Sequence, residues 1–361
     1  MKRFLFIATI VLVVCFQSAF AVSISAKSAV LIEASSGKIV YQKDANTRRG
    51  MASTTKIMTA LVTLEHAGLD EIVTVPASCV GIEGSSMYLQ AGEELTVLDL
   101  LYGLLLQSGN DCAAVLAEYV ADEQEEFVAL MNQTAADLQL HNTHFMNPSG
   151  LPDENHYSTA YDMARLTAYA MENEDFRTIV STKTYKTGTH FLVNHNRLLS
   201  MCDGVDGVKT GFTKAAGRCL VSSAVRNGTR IICVTLSAPN DWNDHQQLYE
   251  YGFPSVCRVV LCEEGELVSN LPVVGGVKST VSVMLSKRLE AVVSPNEVSQ
   301  LSVTYYLPRF LYAPISERTI VGTAVLSKNK EVLASVPLQV LSTVNAPKPK
   351  GFRSFFTHIF S

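Results

Sequence analysis

Three short groups of residues in this chain have the types and spacing to do chemistry together. Ser53 and Lys56 stand three apart, where the small residues Ala52-Ser53-Thr54-Thr55 lead into a helix-spaced apolar pattern at Ile57, Met58, Leu61, Val62 and Leu64. That spacing puts both side chains on one face of a helix at its first turn. A serine hydroxyl is a weak nucleophile until a base takes its proton, and a lysine amine can be that base once burial or a nearby cation lowers its pKa. Alone, S-x-x-K reads as well as a helix cap followed by a surface lysine. Two later groups add weight: Ser108-Gly109-Asn110, in a break after a densely apolar segment, and Lys209-Thr210-Gly211, opening a β-rich stretch. Taken singly, Ser108 is a loop serine and Lys209 a strand-edge lysine. The three together, in order, on a helix start, an inter-helix loop and a strand, are far more specific than any one. His156 and His195 invite a Ser-His-Asp reading, but no G-x-S-x-G elbow exists to carry it.

The elements that must position these groups are legible from periodicity. Residues 29–34 and 38–42 read as a hairpin through Ser35-Ser36-Gly37, and residues 72–75 as a short strand before a looped region at 78–93. Residues 95–106 read as a helix buried nearly all round, followed by helices over 112–119, 125–138 and 159–171, with a turn-rich loop at Asn147-Pro148-Ser149-Gly150-Leu151-Pro152 between the last two. A strand over 209–213, a hairpin over 218–225 and 229–236 turning at Asn227-Gly228, and a closing helix over 244–251 complete the first unit. Strands, then helices, then strands predict an α+β domain with helices packed on an antiparallel sheet, which the first hairpin must rejoin. From Pro254 the texture changes to short β-rich runs at 256–261, 267–274, 280–285, 301–307, 319–326 and 331–341. They predict a second, all-β domain with no catalytic cluster and a structural or docking role.

The two ends carry targeting signals. Lys2 and Arg3 precede an apolar run over 4–14, and Ala19-Phe20-Ala21 has the small-x-small form of a peptidase site, so residues 1–21 read as a signal peptide. At the other end Phe352, Phe355, Phe356, Ile359 and Phe360 fall at i, i+3, i+4, i+7 and i+8 beside Lys348, Lys350 and Arg353. Residues 346–361 therefore read as an amphipathic tail lying on a membrane surface. The chain is expected outside the cytoplasm, attached peripherally to the outer face of the cytoplasmic membrane, where ATP and nicotinamide chemistries are poor choices. A net charge of −5 gives no reason to expect nucleic acid. Eight cysteines without a C-x-x-C pair indicate neither zinc nor a disulfide framework, leaving open a single bridge such as Cys257 to Cys262. No cofactor or metal is expected.

The set S-x-x-K, S-x-N and K-T-G belongs to penicillin-binding proteins and related serine enzymes. Longer matches narrow it: Ala52-Ser53-Thr54-Thr55-Lys56-Ile57-Met58-Thr59-Ala60, Ser108-Gly109-Asn110-Asp111, Asn147-Pro148-Ser149-Gly150-Leu151 and Gly207-Val208-Lys209-Thr210-Gly211-Phe212-Thr213. On these the chain resembles the serine-type D-alanyl-D-alanine carboxypeptidases, the low-molecular-mass penicillin-binding proteins of bacterial cell walls. The resemblance implies a β-lactamase/transpeptidase-like catalytic domain over 22–253, a small β-rich domain over 254–345 and the tail at 346–361. It implies removal of the terminal D-alanine from peptidoglycan stem peptides through a Ser53 acyl-enzyme, with β-lactams as covalent inhibitors. By the same resemblance Lys56 is the base, Ser108 relays a proton to the leaving amine, and Asn110 holds Lys56 and the substrate amide. Lys209 supplies positive potential, Ser53 and Phe212 offer backbone N–H groups to the oxyanion, and Thr210 and Thr213 meet the terminal carboxylate, with Gly211 in the same substrate-binding strand.

Departures from the family pattern bear on affinity more than on chemistry. Met51 stands where many relatives have proline, Phe212 replaces a histidine found in some, and Cys112 sits where alanine is common. No arginine occurs between Ile231 and Cys257, where some members read the substrate carboxylate, so that reader is unassigned. A class A β-lactamase is disfavoured because no E-x-x-x-N segment lies between Ser108 and Lys209. A DD-endopeptidase acting on cross-links uses the same residues but usually carries large extra domains; a catalytically weak wall-binding protein is the third alternative.

Overall fold

Strand β1 (Ser28–Glu33) is buried at every position and therefore must be covered on both faces. Its side chains alternate accordingly: Val30 and Ile32 enter the large helical core, while Ala29 and Leu31 pack with Leu248 and Tyr249 on the other face. The computed structural model describes residues 22–348. The residues expected to form a signal peptide lie outside them, as do nearly all of those expected to form an amphipathic tail. After β1 come β2 (Ile39–Lys43), helix α1 (Lys56–His66), β3 (Ile72–Thr74), β4 (Glu94–Thr96), α2 (Val97–Leu106), α3 (Asn110–Ala121) and α4 (Gln124–Asp137). The order continues with α5 (Ala160–Ala170), α6 (Glu174–Ser181), β5 (Thr184–Thr187), β6 (His190–Val193), the single turn α7 (Leu198–Met201), β7 (Val205–Thr213), β8 (Gly217–Arg226), β9 (Thr229–Leu236) and α8 (Asp241–Ser255).

The main sheet has the order β2-β1-β9-β8-β7. Every pairing in it is antiparallel, and β1 docks on β9 in the register Ser28↔Leu236 to Glu33↔Ile231. The first hairpin thus rejoins the later strands, and the α+β expectation is met. Helix α2 starts where Thr96 and Asp99 exchange a capping box, so its apolar run begins two residues later than periodicity alone places it. Helix α1 is buried from Lys56 through Thr63, eight consecutive residues, because α2 to α6 all pack around it. A helix enclosed in this way can hold a charged side chain out of water, and its first residue is the lysine of S-x-x-K.

The second domain is all-β, as expected from its short runs. It contains β10 (Cys257–Cys262), β11 (Leu267–Val274), β12 (Thr280–Leu285), β13 (Leu289–Val293), β14 (Leu301–Tyr306), β15 (Leu311–Tyr312), β16 (Ile320–Lys328) and β17 (Glu331–Val340). Its larger sheet runs β14-β16-β17-β12-β11-β15, over a core that includes Leu271, Val283, Leu285, Leu326 and Leu338. Cys257 and Cys262 sit at opposite ends of β10 and both are free, so the bridge left open by the sequence does not form. Five residues along a strand span about 16 Å, far beyond disulfide reach.

Candidate active site

Ser53 lies in a single 3-10 turn, Ala52–Thr55, that leads into α1. Lys56, the next residue, is fully buried, and its Nζ lies 3.2 Å from Ser53 Oγ, 2.7 Å from Asn110 Oδ1 and 2.6 Å from the Ser149 carbonyl. Burial, and secondly the charge of Lys209, push its pKa well below the usual lysine value. A neutral amine has two N–H donors and one lone pair. The amide oxygen of Asn110 and the carbonyl of Ser149 accept the two donors, which leaves the lone pair for the Ser53 hydroxyl. That is the geometry a general base needs.

The Ser149 carbonyl has no side-chain signature in the sequence, but the loop that delivers it does. Asn147 Oδ1 accepts N–H bonds from Ser149 (3.2 Å), Gly150 (2.7 Å) and Leu151 (3.1 Å), folding the turn tightly. Thr59 Oγ1 donates to the Pro148 carbonyl at 2.6 Å, strapping the same loop to α1. Gly150 has φ +86°, and a Cβ there would drive into the Ala52 carbonyl, so glycine is required where the loop crosses the nucleophile turn.

Ser108 sits in the middle of the α2–α3 connection with φ 64°, a left-handed conformation for a non-glycine residue, and it is buried. Asn110 opens α3; while its oxygen holds Lys56, its Nδ2 donates to the Glu83 carbonyl. Both ends of that amide are therefore engaged within the protein. Asp111 fastens the 85–89 loop to the head of α3 by accepting from Ser86 Oγ (2.6 Å), Met87 N (3.0 Å) and Leu89 N (3.2 Å).

The third group stands on β7. Lys209 is 1% exposed, donates to the Thr210 carbonyl at 2.8 Å, and has its pKa lowered to about 7 by burial. At Gly211 the strand passes so close to the nucleophile turn that a Cβ would sit 3.0 Å from Ser53 N and 3.1 Å from Thr54 N. Phe212 is exposed, and Thr213 Oγ1 accepts the Ala216 N–H at 3.0 Å, capping the β7–β8 turn. The helix start, the inter-helix loop and the strand thus converge on Ser53.

A family model described as D-alanyl-D-alanine carboxypeptidase matches residues 16–240 of this chain. The chain belongs to the D-alanyl-D-alanine carboxypeptidase family. A second family model, penicillin-binding protein 5, C-terminal domain, matches residues 259–346. D-alanyl-D-alanine carboxypeptidase DacF of Bacillus subtilis is 34% identical over 344 residues, covering 91% of this chain and 88% of that one. DacC of Escherichia coli is 33% identical over 345 residues, covering 91% and 86%. Among solved structures, penicillin-binding protein 5 from Haemophilus influenzae is 30% identical with a TM-score of 0.73, covering 91% of this chain and 100% of that chain. The Streptomyces K15 DD-transpeptidase is 36% identical with a TM-score of 0.62, covering 64% of this chain and 98% of that one. As a family member the chain is a serine-type D-Ala-D-Ala carboxypeptidase that acts on peptidoglycan.

In this carboxypeptidase two clefts meet at Ser53. One, about 630 Å³, is lined by Ser108, His195, Arg197, Thr210, Arg218 and Trp242 among others. The other, about 470 Å³, is lined by Glu83, Asn110, Ser149, Gly150, Thr213 and Lys214 among others. Thr210 and Thr213, expected together at the substrate carboxylate, therefore line different arms. His156 belongs to neither. Its Nδ1 accepts the Met146 N–H at 3.0 Å, so Nε2 carries the proton and donates to Thr55 Oγ1 at 2.7 Å. Burial lowers its pKa to about 4, keeping it neutral beneath the nucleophile turn as a prop. His195 lines the cleft, with its pKa lowered by burial and by Lys209.

Proposed function

We propose that this carboxypeptidase releases the terminal D-alanine of stem pentapeptides through an acyl-enzyme on Ser53, with Lys56 as base and Ser108 as proton relay. Neutral Lys56 takes the Ser53 proton as Oγ attacks the penultimate D-alanine carbonyl. The oxyanion is received by the Ser53 and Phe212 N–H groups. Collapse breaks the D-Ala–D-Ala amide bond, and the proton passes by way of Ser108 to the departing nitrogen. Water, deprotonated by Lys56, then hydrolyses the ester and frees the shortened stem. Lys209, Thr210 and Gly211 form the cationic wall beside the leaving group, and Asn110 keeps Lys56 aimed. A penicillin's amide follows the same first step and leaves Ser53 acylated.

The observation that carries this reading is the hydrogen bonding of Lys56: two fixed acceptors for its two N–H groups, with Ser53 Oγ at 3.2 Å on the remaining side. We place the catalytic domain at 22–253 and the β-rich domain at 254–345, a division supported by separate family matches over 16–240 and 259–346. Residues 1–21 act as the export signal, and residues 346–361 hold the enzyme to the outer face of the membrane by their phenylalanine stripe and basic head.

One experiment tests both parts. Membrane and soluble fractions of cells making the wild type, Ser53→Ala, or a chain ending at residue 347 are labelled with fluorescent penicillin and incubated with pentapeptide. Ser53→Ala loses label and D-alanine release, whereas the truncated chain keeps both and moves to the soluble fraction. Label retained without Ser53 overturns the nucleophile, and a truncated chain still on the membrane overturns the anchor. Masses of products from cross-linked muropeptides separate loss of one D-alanine from cleavage of the cross-link.

A further inference from the structure

The peptide that this site cleaves ends in a carboxylate, and no arginine lies between Ile231 and Cys257 to receive it. A carboxylate entering a cleft loses hydration that a neutral hydroxyl such as Thr210 replaces poorly; a charged donor replaces it far better. The leaving group lies on the side of Ser108, whose proton it takes, and Ser108 lines the cleft that also holds Thr210, Arg197 and Arg218. We infer that Arg218, on the strand next to the Lys-Thr-Gly strand, is the residue that binds the terminal carboxylate of the substrate. The inference rests on the carboxypeptidase mechanism proposed above.

Register brings Arg218 there. In the β7–β8 pair it stands directly across from Phe212, with Thr210 opposite Leu220 two positions on. Its guanidinium is already held: Nη2 lies 3.0 Å from Asp241 Oδ2, and the guanidinium carbon is 5.7 Å from the centre of the Trp242 ring. Asp241 is itself fixed. Its side chain is 4% exposed, its Oδ1 accepts the Trp242 N–H at 2.9 Å, and it sits in the first turn of α8, where the helix dipole favours a carboxylate. A guanidinium has five N–H donors in a rigid fork, and Asp241 pairs with one of its nitrogens. The Arg218 side chain remains 42% exposed in the cleft, leaving other donors free for a second carboxylate. Because its rotamer is set in advance, binding costs little further ordering.

Asp241 cancels part of the Arg218 charge. Lys209, 1% exposed beside Thr210, and Arg197 on the cleft wall keep the arm attractive to an anion. Arg197 is the rival reader. It is exposed and, among the described residues, its side chain makes no ion pair or hydrogen bond, so it must be ordered on binding. The anchored arginine is the better receptor. Asp241 acts through it as a positioning residue.

The test uses the full chain and two peptides that differ only at the end, acyl-D-Ala-D-Ala as the free acid and as the carboxamide, with release of D-alanine or D-alaninamide followed by mass. In the wild type the acid is preferred. Arg218→Gln lowers kcat/KM for the acid by roughly 10- to 100-fold, the worth of one charge-assisted pair, and leaves the carboxamide rate unchanged, so the preference collapses. Arg218→Lys restores part of it, Asp241→Asn weakens it mainly through KM, and Arg197→Gln reduces it far less than Arg218→Gln does. An intact preference in Arg218→Gln, equal loss on both peptides, or collapse in Arg197→Gln overturns the assignment. Unchanged carboxamide turnover in wild type and Arg218→Gln separates failure at Arg218 from failure of the reaction itself.

Discussion

Lys56 and Lys209 are both fully buried in the same site, and among the described residues neither forms an ion pair with a carboxylate. Burial disfavours both charges, and the charge on Lys209 is the second cause of the lowered Lys56 pKa. One lysine is thereby kept neutral enough to act as a base while the other supplies the nearby positive potential. Two buried amines held by neutral partners rather than carboxylates favour chemistry over stability, a common trade at functional sites.

Replacing Lys209 by methionine exposes that trade. The pKa of Lys209 is lowered from an unfolded value near 10.5 to about 7 in the fold. Between those values the unfolded chain binds more protons, so the wild type gains stability as pH rises through this window and carries its full penalty below pH 7. Lys209→Met should therefore be more stable at neutral pH, on the order of 1–2 kcal/mol, with the advantage shrinking toward pH 10. Penicillin acylation should fall sharply in the same variant. Denaturant melts at pH 7 and pH 10 check the sign; a variant less stable than wild type at pH 7 would contradict it.

The parts of this site that were legible in the sequence are those whose chemistry is carried by side chains at element boundaries. Ser53, Lys56, Ser108, Asn110 and Lys209 announce themselves by type and order, and helical periodicity around them gave the right elements. What could not be read is backbone and register. The Ser149 and Glu83 carbonyls that hold Lys56 and Asn110 have no side-chain code. Arg218 reaches the cleft only because β8 pairs with β7 in one register, far in sequence from the segment just before the closing helix. Weak local signals account for the elements the sequence reading does not name. Helix α6 has three buried apolar residues in eight, and β15 is two residues paired in parallel with β11. Lys209 heads a motif, yet its strand begins at Val205, across an irregularity between Val205 and Gly207.

His156 should matter to acid stability while staying out of the chemistry. Its pKa is lowered to about 4 from 6.5 because burial penalises the imidazolium. On acidification the unfolded chain takes the proton first, so stability present above pH 6.5 is lost progressively as pH falls toward 4. Replacing the ring with glutamine keeps a donor toward Thr55 and removes the titration. His156→Gln should cost about 1–3 kcal/mol at pH 7 through imperfect packing and hydrogen bonding, and lose less further stability than wild type between pH 6.5 and 4.5. His245, buried with a pKa lowered to about 3, titrates in the same direction and remains in both proteins, so the difference between the two melts isolates His156. Penicillin labelling of the folded variant should persist; its abolition would place His156 in the reaction.

Gly150 links loop geometry to the base. Its φ of +86° is unfavourable for any side chain, and the atom added by alanine would meet the Ala52 carbonyl in the nucleophile turn. Relief requires the loop to withdraw, and the adjacent Ser149 carbonyl, 2.6 Å from Lys56 Nζ, withdraws with it. Lys56 then loses one of the two acceptors that turn its lone pair toward Ser53. Gly150→Ala should destabilise the chain by about 1–3 kcal/mol and slow penicillin acylation by roughly 10²-fold or more, the scale of a mispositioned catalytic group. Gly37, at φ +68° in the β1–β2 turn with nothing within 4 Å of the added atom, supplies the control. Gly37→Ala carries similar backbone strain without touching the site, so its acylation rate should match the wild type while its stability falls. Equal acylation rates in the two variants would show that the Ser149 carbonyl does not aim Lys56.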